Sequence, residues 1–321
     1  MIHFFRLIRP INLLVIVLTM VGIRLFFLPF LIPSVESDNS EPLHYNLLIL
    51  CMVLVAAGGN IINDYFDIRA DRINKPNKLI VGKYIKKRWA IVFHWTLNLI
   101  AFLIACYLSS AYNTYWYVFL ILVYINVLWV YSMYFKRKFF IGNFLVAALT
   151  GLVPIVCGIH FLGLTTPYNN TNFFNQYLPD ESWLSEINLK IFFVLTFSFF
   201  AFALNFVREI IKDIEDVKGD LVLRAKTIPI VLGVQKSKWI AITCVFIIFI
   251  FSSPFMYEGI ALFKSSMFVF MWPIFIIFFI LLLVLVLLIR KSEMKSLKLV
   301  DKLLKICMFI GCCMPFYWYF I

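Results

Sequence analysis

Two short polar segments interrupt an otherwise apolar sequence, and the first combines an asparagine with three carboxylates. Asn63, Asp67 and Asp71 lie four residues apart, so a helix places all three side chains on one face. Asp64 lies beside that face. Carboxylates crowded in this way repel one another, so a cation has to lie among them. Because the ligands are oxygens, with no His or Cys nearby, the segment favours Mg²⁺, which commonly keeps coordination positions for phosphates.

The second polar segment, 208–220, repeats this chemistry. Four of its five acids are spaced 4, 3 and 4 residues apart, again on one helical face: Glu209, Asp213, Asp216 and Asp220. Of the 17 acidic residues in the chain, three lie in the first segment and five in the second. Two acidic faces with Lys and Arg between them predict a site for a diphosphate bridged by metal ions, without a glycine-rich loop.

The composition places both segments in a membrane protein. Hydrophobic residues make up 63% of the chain and charged residues only 14%, which lies outside the range of soluble proteins. The apolar runs are long and continuous, unlike the alternating pattern of a membrane β-barrel. At ~20 residues per span, 321 residues supply about nine spans. We therefore expect an all-α, polytopic membrane protein, a single bundle of about nine transmembrane helices, with residues 1–321 as one domain.

The distribution of basic residues predicts the orientation of this bundle. The predicted spans are 11–33, 46–62, 89–110, 114–134, 139–163, 187–208, 239–257 and 266–289, with a further span ending the chain. Basic residues concentrate before the first span and after the second, fourth, sixth and eighth, including a basic loop at 290–305. The positive-inside rule then places both acidic segments in the cytoplasm. The expected location is the cell membrane, and the same distribution argues against nucleic-acid binding.

Both polar segments resemble the motifs of the UbiA superfamily of intramembrane prenyltransferases. Asn63-Asp64-x-x-Asp67-x-x-x-Asp71 is similar to that family's Asn-Asp-x-x-Asp-x-x-x-Asp signature. Asp213-x-x-Asp216-x-x-x-Asp220 is similar to its later aspartate motif. Finer features resemble the geranylgeranylglyceryl-phosphate geranylgeranyltransferases, the branch that makes archaeal-type ether lipids. They are Asn74-Lys75-Pro76, Gly142-Asn143, Arg208-Glu209-x-x-Lys212-Asp213-Ile214-Glu215-Asp216, Lys226-Thr227-Ile228-Pro229 and Lys302-Leu303-Leu304-Lys305-Ile306.

This resemblance implies a Mg²⁺-dependent transfer of a polyprenyl group from a prenyl diphosphate donor to a membrane-embedded lipid of the prenylglyceryl phosphate type. The expected catalytic residues are Asp67, Asp71, Asp213 and Asp216. The expected metal ligands are Asn63, Asp64, Asp67, Asp71, Asp213, Asp216 and Asp220. The expected substrate-binding residues are Arg69, Lys75, Lys78, Asn143, Arg208, Lys212 and Lys226.

Two other functions are compatible with parts of this pattern. An aromatic prenyltransferase of quinone biosynthesis, acting on a 4-hydroxybenzoate-type acceptor, would use the same donor site. An ion or phosphate transporter would use the acids as a cation path, but transporters place such sites near the membrane midplane. The acids here lie at helix ends on one side, which favours an enzyme.

Two histidines in the apolar runs are expected to have no catalytic role. His94, in the third predicted span, is expected to be a hydrogen-bonded packing residue. His160 lies near the outer end of the fifth span and is expected at the membrane interface.

Overall fold

The computed structural model describes residues 2–27, 41–74, 76–165, 181–262, 267–290 and 294–319. Its N-terminal half contains α1 (Ile2–Ile8), α2 (Pro10–Phe27), α3 (Glu41–Phe66), α4 (Ile68–Asn74), α5 (Lys87–Ala111) and α6 (Trp116–Met133). Its C-terminal half contains α7 (Ile141–Thr165), α8 (Glu181–Val222), α9 (Ile228–Leu232), α10 (Val234–Leu262), α11 (Met267–Arg290) and α12 (Met294–Tyr319).

The prediction of an all-α, polytopic membrane protein is confirmed. Within the described residues, seven helices are long and apolar enough to cross a membrane: α3, α5, α6, α7, α8, α10 and α11. A shorter apolar stretch, Pro10–Leu25, forms most of α2. The chain is therefore an integral, multi-pass membrane protein, whereas the count of about nine spans stays a prediction.

The structure corrects the boundaries predicted around the second acidic segment. The polar loop predicted for 164–186 ends earlier, because α8 already begins at Glu181. The sixth span was predicted to stop at residue 208, but α8 continues to Val222 and contains the whole acidic segment. A hydropathy criterion ends a span where charges begin, whereas the helix continues because its acids keep helical spacing.

The predicted basic loop 290–305 is also wrong over most of its length, since α12 begins at Met294. Leu297, Val300 and Leu304 recur at intervals of three and four residues and are buried in the core. The lysines between them point away from that apolar stripe, so the segment is an amphipathic helix rather than a loop.

Pairwise helix contacts close a ring of α2, α3, α6, α7, α8 and α12. Helix α5 packs outside α3 and α6, and α10 and α11 pack beside α8 and α12. The approach of α7 to α8 is close because Gly151 has no side chain: a Cβ there would lie 2.9 Å from the carbonyl oxygen of Ser198. The Ser198 hydroxyl also donates a 2.6 Å hydrogen bond to the Gly151 carbonyl.

A buried polar cluster joins α2, α3, α6 and α7 at the end of the bundle opposite the acidic segments. Arg24 pairs with Glu41 at 2.6 Å, and the ring of His160 lies 3.9 Å from the same carboxylate. Tyr117 shares a 2.9 Å hydrogen bond with His160. The ring of His160 is buried among charged and phenolic groups, whereas its expected place at the membrane interface stays a prediction. His94 packs as predicted, with a 2.9 Å contact to the Gly58 carbonyl.

Candidate active site

The first acidic segment lies where α3 passes into α4. A one-residue break at Asp67 separates the two helices, but the helical hydrogen bonds continue across it. The Asp67 amide donates to the Asn63 carbonyl at 3.0 Å, and the Asp71 amide donates to the Asp67 carbonyl at 2.9 Å. Asn63, Asp67 and Asp71 therefore share one face, as their spacing predicts.

Two cations that were not predicted from the sequence pair with carboxylates of this segment. The guanidinium of Arg9 pairs with Asp64, and the ammonium of Lys136 pairs with Asp67. Lys136 also donates a 3.0 Å hydrogen bond to the side-chain oxygen of Asn63. Burial lowers the pKa of Lys136, but Asp67 outweighs that effect and leaves the pKa above its ordinary value. The pKa of Arg9 is raised in the same way, against burial, by Asp64. Both cations are therefore charged at neutral pH.

Lys136 is held in place by a short 3₁₀ turn, Phe135–Arg137, between α6 and α7. Two contacts of its neighbour Arg137 fix this turn against the rest of the site. The Arg137 guanidinium donates to the carbonyl of Phe66 at 3.3 Å, which ties the turn to the end of α3. The Lys226 amide donates to the Arg137 carbonyl at 2.9 Å, which ties it to the loop after α8.

The second acidic segment lies on α8, and its acids differ in their partners. Asp213 accepts a 2.8 Å hydrogen bond from the side-chain amide of Asn143 on α7. Glu209 instead accepts hydrogen bonds from Arg208 at 3.1 Å and from Lys212 at 2.9 Å. Arg208 also lies 3.0 Å from a carboxylate oxygen of Asp301 on α12. Glu209 therefore serves as a counter-ion for two cations, whereas Asp213 is held by a neutral amide.

The two acidic segments lie together in the structure. The side chain of Asn74, at the end of α4, makes hydrogen bonds to the backbone of α8 at Asp216 and Gly219. Lys136, which contacts Asp67, also acts electrostatically on Glu209. The residues predicted from two distant parts of the sequence thus belong to one polar region.

The predicted substrate-binding residues occupy different places around this region. Arg69 and Lys226 are exposed at its edge, Asn143 contacts Asp213, and Arg208 and Lys212 are paired with Glu209. Lys75 and the side chain of Lys78 lie outside the described residues. The substrate roles of all seven stay predictions.

The donor set fits Mg²⁺ that is held jointly by protein, phosphate and water. No group of three or more His, Cys, Asp or Glu side chains forms a ready-made metal centre among the described residues. Mg²⁺ commonly binds through one or two carboxylates and completes its shell with phosphates and water. Asn63 and the aspartates of both segments are oxygen ligands of this kind. Asp64 and Asp67 already pair with Arg9 and Lys136, which shows that these carboxylates are stabilised by positive charge.

The family model and the similar proteins all indicate the same family. Residues 26–311 match the UbiA prenyltransferase family. Digeranylgeranylglyceryl phosphate synthase of Thermococcus sibiricus is 32% identical over 309 residues, which covers 96% of this chain and 94% of that protein. The protein of the same description from Methanosphaera stadtmanae is 30% identical over 275 residues, covering 84% of this chain and 86% of that protein.

A solved structure described in terms of digeranylgeranylglyceryl phosphate synthase in membranes has the same fold. It superposes with a TM-score of 0.60 at 22% identity and covers 98% of this chain and 96% of that chain. The match of 26–311 includes both acidic segments and the turn that carries Lys136. On these grounds the chain belongs to the UbiA prenyltransferase family.

Proposed function

We propose that this protein transfers a polyprenyl group from a prenyl diphosphate to the hydroxyl of a prenylglyceryl phosphate, which forms an ether lipid. The observation that carries the proposal is the meeting of two acidic segments beside the charged Lys136 and Arg9. A diphosphate bridged by metal ions fits between two carboxylate faces, because its negative charge is neutralised by the metals. The similarity to digeranylgeranylglyceryl phosphate synthases supports the choice of acceptor.

In this proposal the metal ligands are drawn from both segments: Asn63, Asp64, Asp67, Asp71, Asp213, Asp216 and Asp220. Bound Mg²⁺ would supply Lewis-acid stabilisation of the negative charge on the leaving diphosphate. Lys136 and Arg9 pair with Asp67 and Asp64. When the donor binds, their N–H groups would donate to its phosphate oxygens. Charge-assisted hydrogen bonds of this kind are about twice as strong as neutral ones.

The acceptor is proposed to bind at the edge of the same region, where Lys226 lies next to the turn that carries Lys136. A prenylglyceryl phosphate brings a second anionic group, and the exposed ammonium of Lys226 is available to it at this edge. Arg69, on α4, is a second cation of this type. The acceptor hydroxyl attacks the allylic carbon as the C–O bond to the diphosphate breaks, and its proton passes to water or a nearby base.

We further propose that residues 1–321 act as one transmembrane domain in the cell membrane, with this site on the cytoplasmic side. The basic residues at the same end of the bundle support that orientation by the positive-inside rule. The partners are then the prenyl diphosphate donor, the lipid acceptor and the surrounding membrane lipids. A membrane-embedded site lets both isoprenoid chains stay in the bilayer while their polar ends react at its surface.

A product analysis tests this function. Membranes containing the protein are incubated with labelled geranylgeranyl diphosphate, Mg²⁺ and either geranylgeranylglyceryl phosphate or 4-hydroxybenzoate. We expect an acid-stable, phosphate-bearing ether lipid, formed only when divalent metal is present and lost when EDTA removes it. Asp67→Asn serves as the inactive control. A prenylated hydroxybenzoate as the sole product would instead identify an aromatic prenyltransferase.

A further inference from the structure

Asn74 makes two hydrogen bonds that cross the candidate site from α4 to α8. Its side-chain amide donates to the backbone carbonyl of Asp216 at 3.1 Å. Its side-chain oxygen accepts from the backbone amide of Gly219 at 2.9 Å. One side chain at the end of α4 therefore binds a donor and an acceptor on the backbone of α8, within the second acidic segment.

Gly219 leaves the space that this contact needs. A Cβ at position 219 would lie 2.3 Å from the side-chain nitrogen of Asn74, closer than any real contact. Glycine in a helix interior is about 1 kcal/mol less favourable than alanine, so its presence here has a cost in α8. The fit between Asn74 and Gly219 offsets that cost by letting the amide reach the helix backbone.

We propose that Asn74 is a positioning residue that sets the distance between the two acidic faces. This inference rests on the proposed function, in which both faces hold the metals that bind the donor diphosphate. Both of these hydrogen bonds of Asn74 go to backbone atoms of α8. It fixes the backbone at Asp216 and Gly219, and with it the direction in which the carboxylates of Asp216 and Asp220 project from the helix.

The physical consequence is preorganisation. Without the contact, α4 and the end of α8 are free to separate, because the carboxylates on the two faces repel one another. Metal and diphosphate then bind only the fraction of molecules in which the faces lie at the correct distance. The apparent affinity for metal and diphosphate is therefore the intrinsic affinity multiplied by that fraction.

Three variants separate this role from a general loss of stability. Asn74→Ala removes both hydrogen bonds, and Gly219→Ala pushes the amide of Asn74 out of place while improving the helix propensity of α8. The matched control is Gly311→Ala, a glycine-to-alanine change inside α12, where a new Cβ meets nothing within 4 Å. We expect the Mg²⁺ concentration for half-maximal prenyl transfer to rise about tenfold in Asn74→Ala and in Gly219→Ala, the change that loss of about one hydrogen bond produces. Gly311→Ala is expected to behave as wild type.

The double variant Asn74→Ala/Gly219→Ala gives a further test. If Gly219→Ala acts through Asn74, the added Cβ costs nothing once the asparagine side chain is gone. The double variant is then no worse than Asn74→Ala alone, and the two effects are not additive. Additive losses would overturn the proposed contact.

Amide hydrogen exchange in detergent provides a readout that needs no turnover. We expect exchange in segments 68–74 and 213–222 to become about tenfold faster together in either single variant, although each change lies in one segment only. Unchanged exchange in the partner segment would overturn the positioning role even if activity fell. If exchange rises in both segments but the wild-type protein forms no prenylated product, the contact between Asn74 and α8 is supported. That result would contradict the proposed function instead.

Discussion

Replacement of Lys136 by methionine tests the electrostatics of the candidate site most directly. The change keeps the length of the side chain but removes the charge that pairs with Asp67 and the 3.0 Å hydrogen bond to Asn63. Asp67 is only 8% exposed, so water cannot replace the lost partner fully. The ammonium side chain itself is 33% exposed, so we take the lower part of the range for charge-assisted hydrogen bonds, about 2 kcal/mol. That free energy corresponds to a factor of about 30.

The assay is steady-state prenyl transfer in lipid–detergent micelles, with donor and Mg²⁺ varied separately. In the proposed function the Lys136 ammonium turns from Asp67 to a phosphate oxygen and makes a charge-assisted hydrogen bond of the same strength there. For Lys136→Met we therefore expect kcat/KM for the prenyl diphosphate to fall about 30-fold. We also expect the Mg²⁺ concentration for half-maximal activity to fall, because the metal no longer has to displace an ammonium from Asp67. Use of the donor then becomes worse while binding of the metal becomes tighter, a combination that a misfolded variant would not reproduce.

Lys138→Met is the matched control. Lys138 lies two residues away in the same basic run, but its ammonium lies over the ring of Tyr134, 4.5 Å from the centroid. Neutralising it removes the same formal charge from the chain without removing a contact to the acidic segments. Equal donor kcat/KM values in the two variants would refute the role assigned to Lys136.

Three further predictions concern the metal site, the opposite end of the bundle and the topology. Asp216→Asn is expected to lower kcat about 10³-fold, because several kcal/mol of metal-based stabilisation is lost, while thermal stability changes little or rises as carboxylate repulsion is relieved. Arg24→Met is expected to destabilise the protein by about 3–5 kcal/mol, since Glu41, which is 5% exposed, then keeps a buried charge without its guanidinium. Single cysteines at Lys83 and Tyr115, just beyond the two ends of α5, are expected to react with an impermeant thiol reagent from opposite sides of the membrane.

Each of these predictions has its own control and its own contrary result. For Asp216→Asn, intrinsic fluorescence on heating reports folding, and near-normal turnover without added metal would contradict a metal role. For Arg24→Met, the double variant with Glu41→Gln should recover most of the lost stability, and an equally unstable double variant would argue against the ion pair. For the topology, reaction of the cysteines at positions 83 and 115 from the same side of the membrane would contradict a membrane-spanning α5.

The two acidic faces could be predicted from the sequence alone because their signal is local. Asn63, Asp67 and Asp71 repeat at helical spacing, and so do the acids of α8, so one face per segment could be predicted without knowledge of the fold. The crowding of carboxylates also predicted that a cation lies among them. In the structure, Lys136 and Arg9 are cations of that kind.

The identity of those cations could not be predicted, because their contacts depend on packing between distant segments. Lys136 belongs to a basic run that the positive-inside rule already explains. Its charge therefore gave no separate indication that it contacts the acidic segment. Arg9 pairs with Asp64 from the break between α1 and α2, where the backbone of Arg9 adopts a left-handed conformation with φ of 55°. Asn74 belongs to a motif that resembles the family, but its role could not be inferred from the sequence. Its partner, the backbone of α8, is distant in the chain.

The helix boundaries show a similar limit. Spans predicted from hydropathy end at the first charges, yet α8 continues for four turns of acidic and basic residues to Val222. In α12, the buried positions Leu297, Val300 and Leu304 lie between lysines, and counting charges alone concealed their helical period. Amphipathic helices at a membrane surface are recognised by periodicity rather than by mean composition.

The buried ion pair between Arg24 and Glu41 has a consequence for how the chain enters the bilayer during synthesis. Arg24 lies near the end of α2 and Glu41 begins α3, so the two charges emerge from the ribosome close together in time. A lone arginine or a lone carboxylate in the apolar part of a bilayer is unfavourable, and pairing the two charges reduces that cost. Helices α2 and α3 are therefore expected to leave the translocation channel as a hairpin with the pair already formed, before the later helices that complete the site are made.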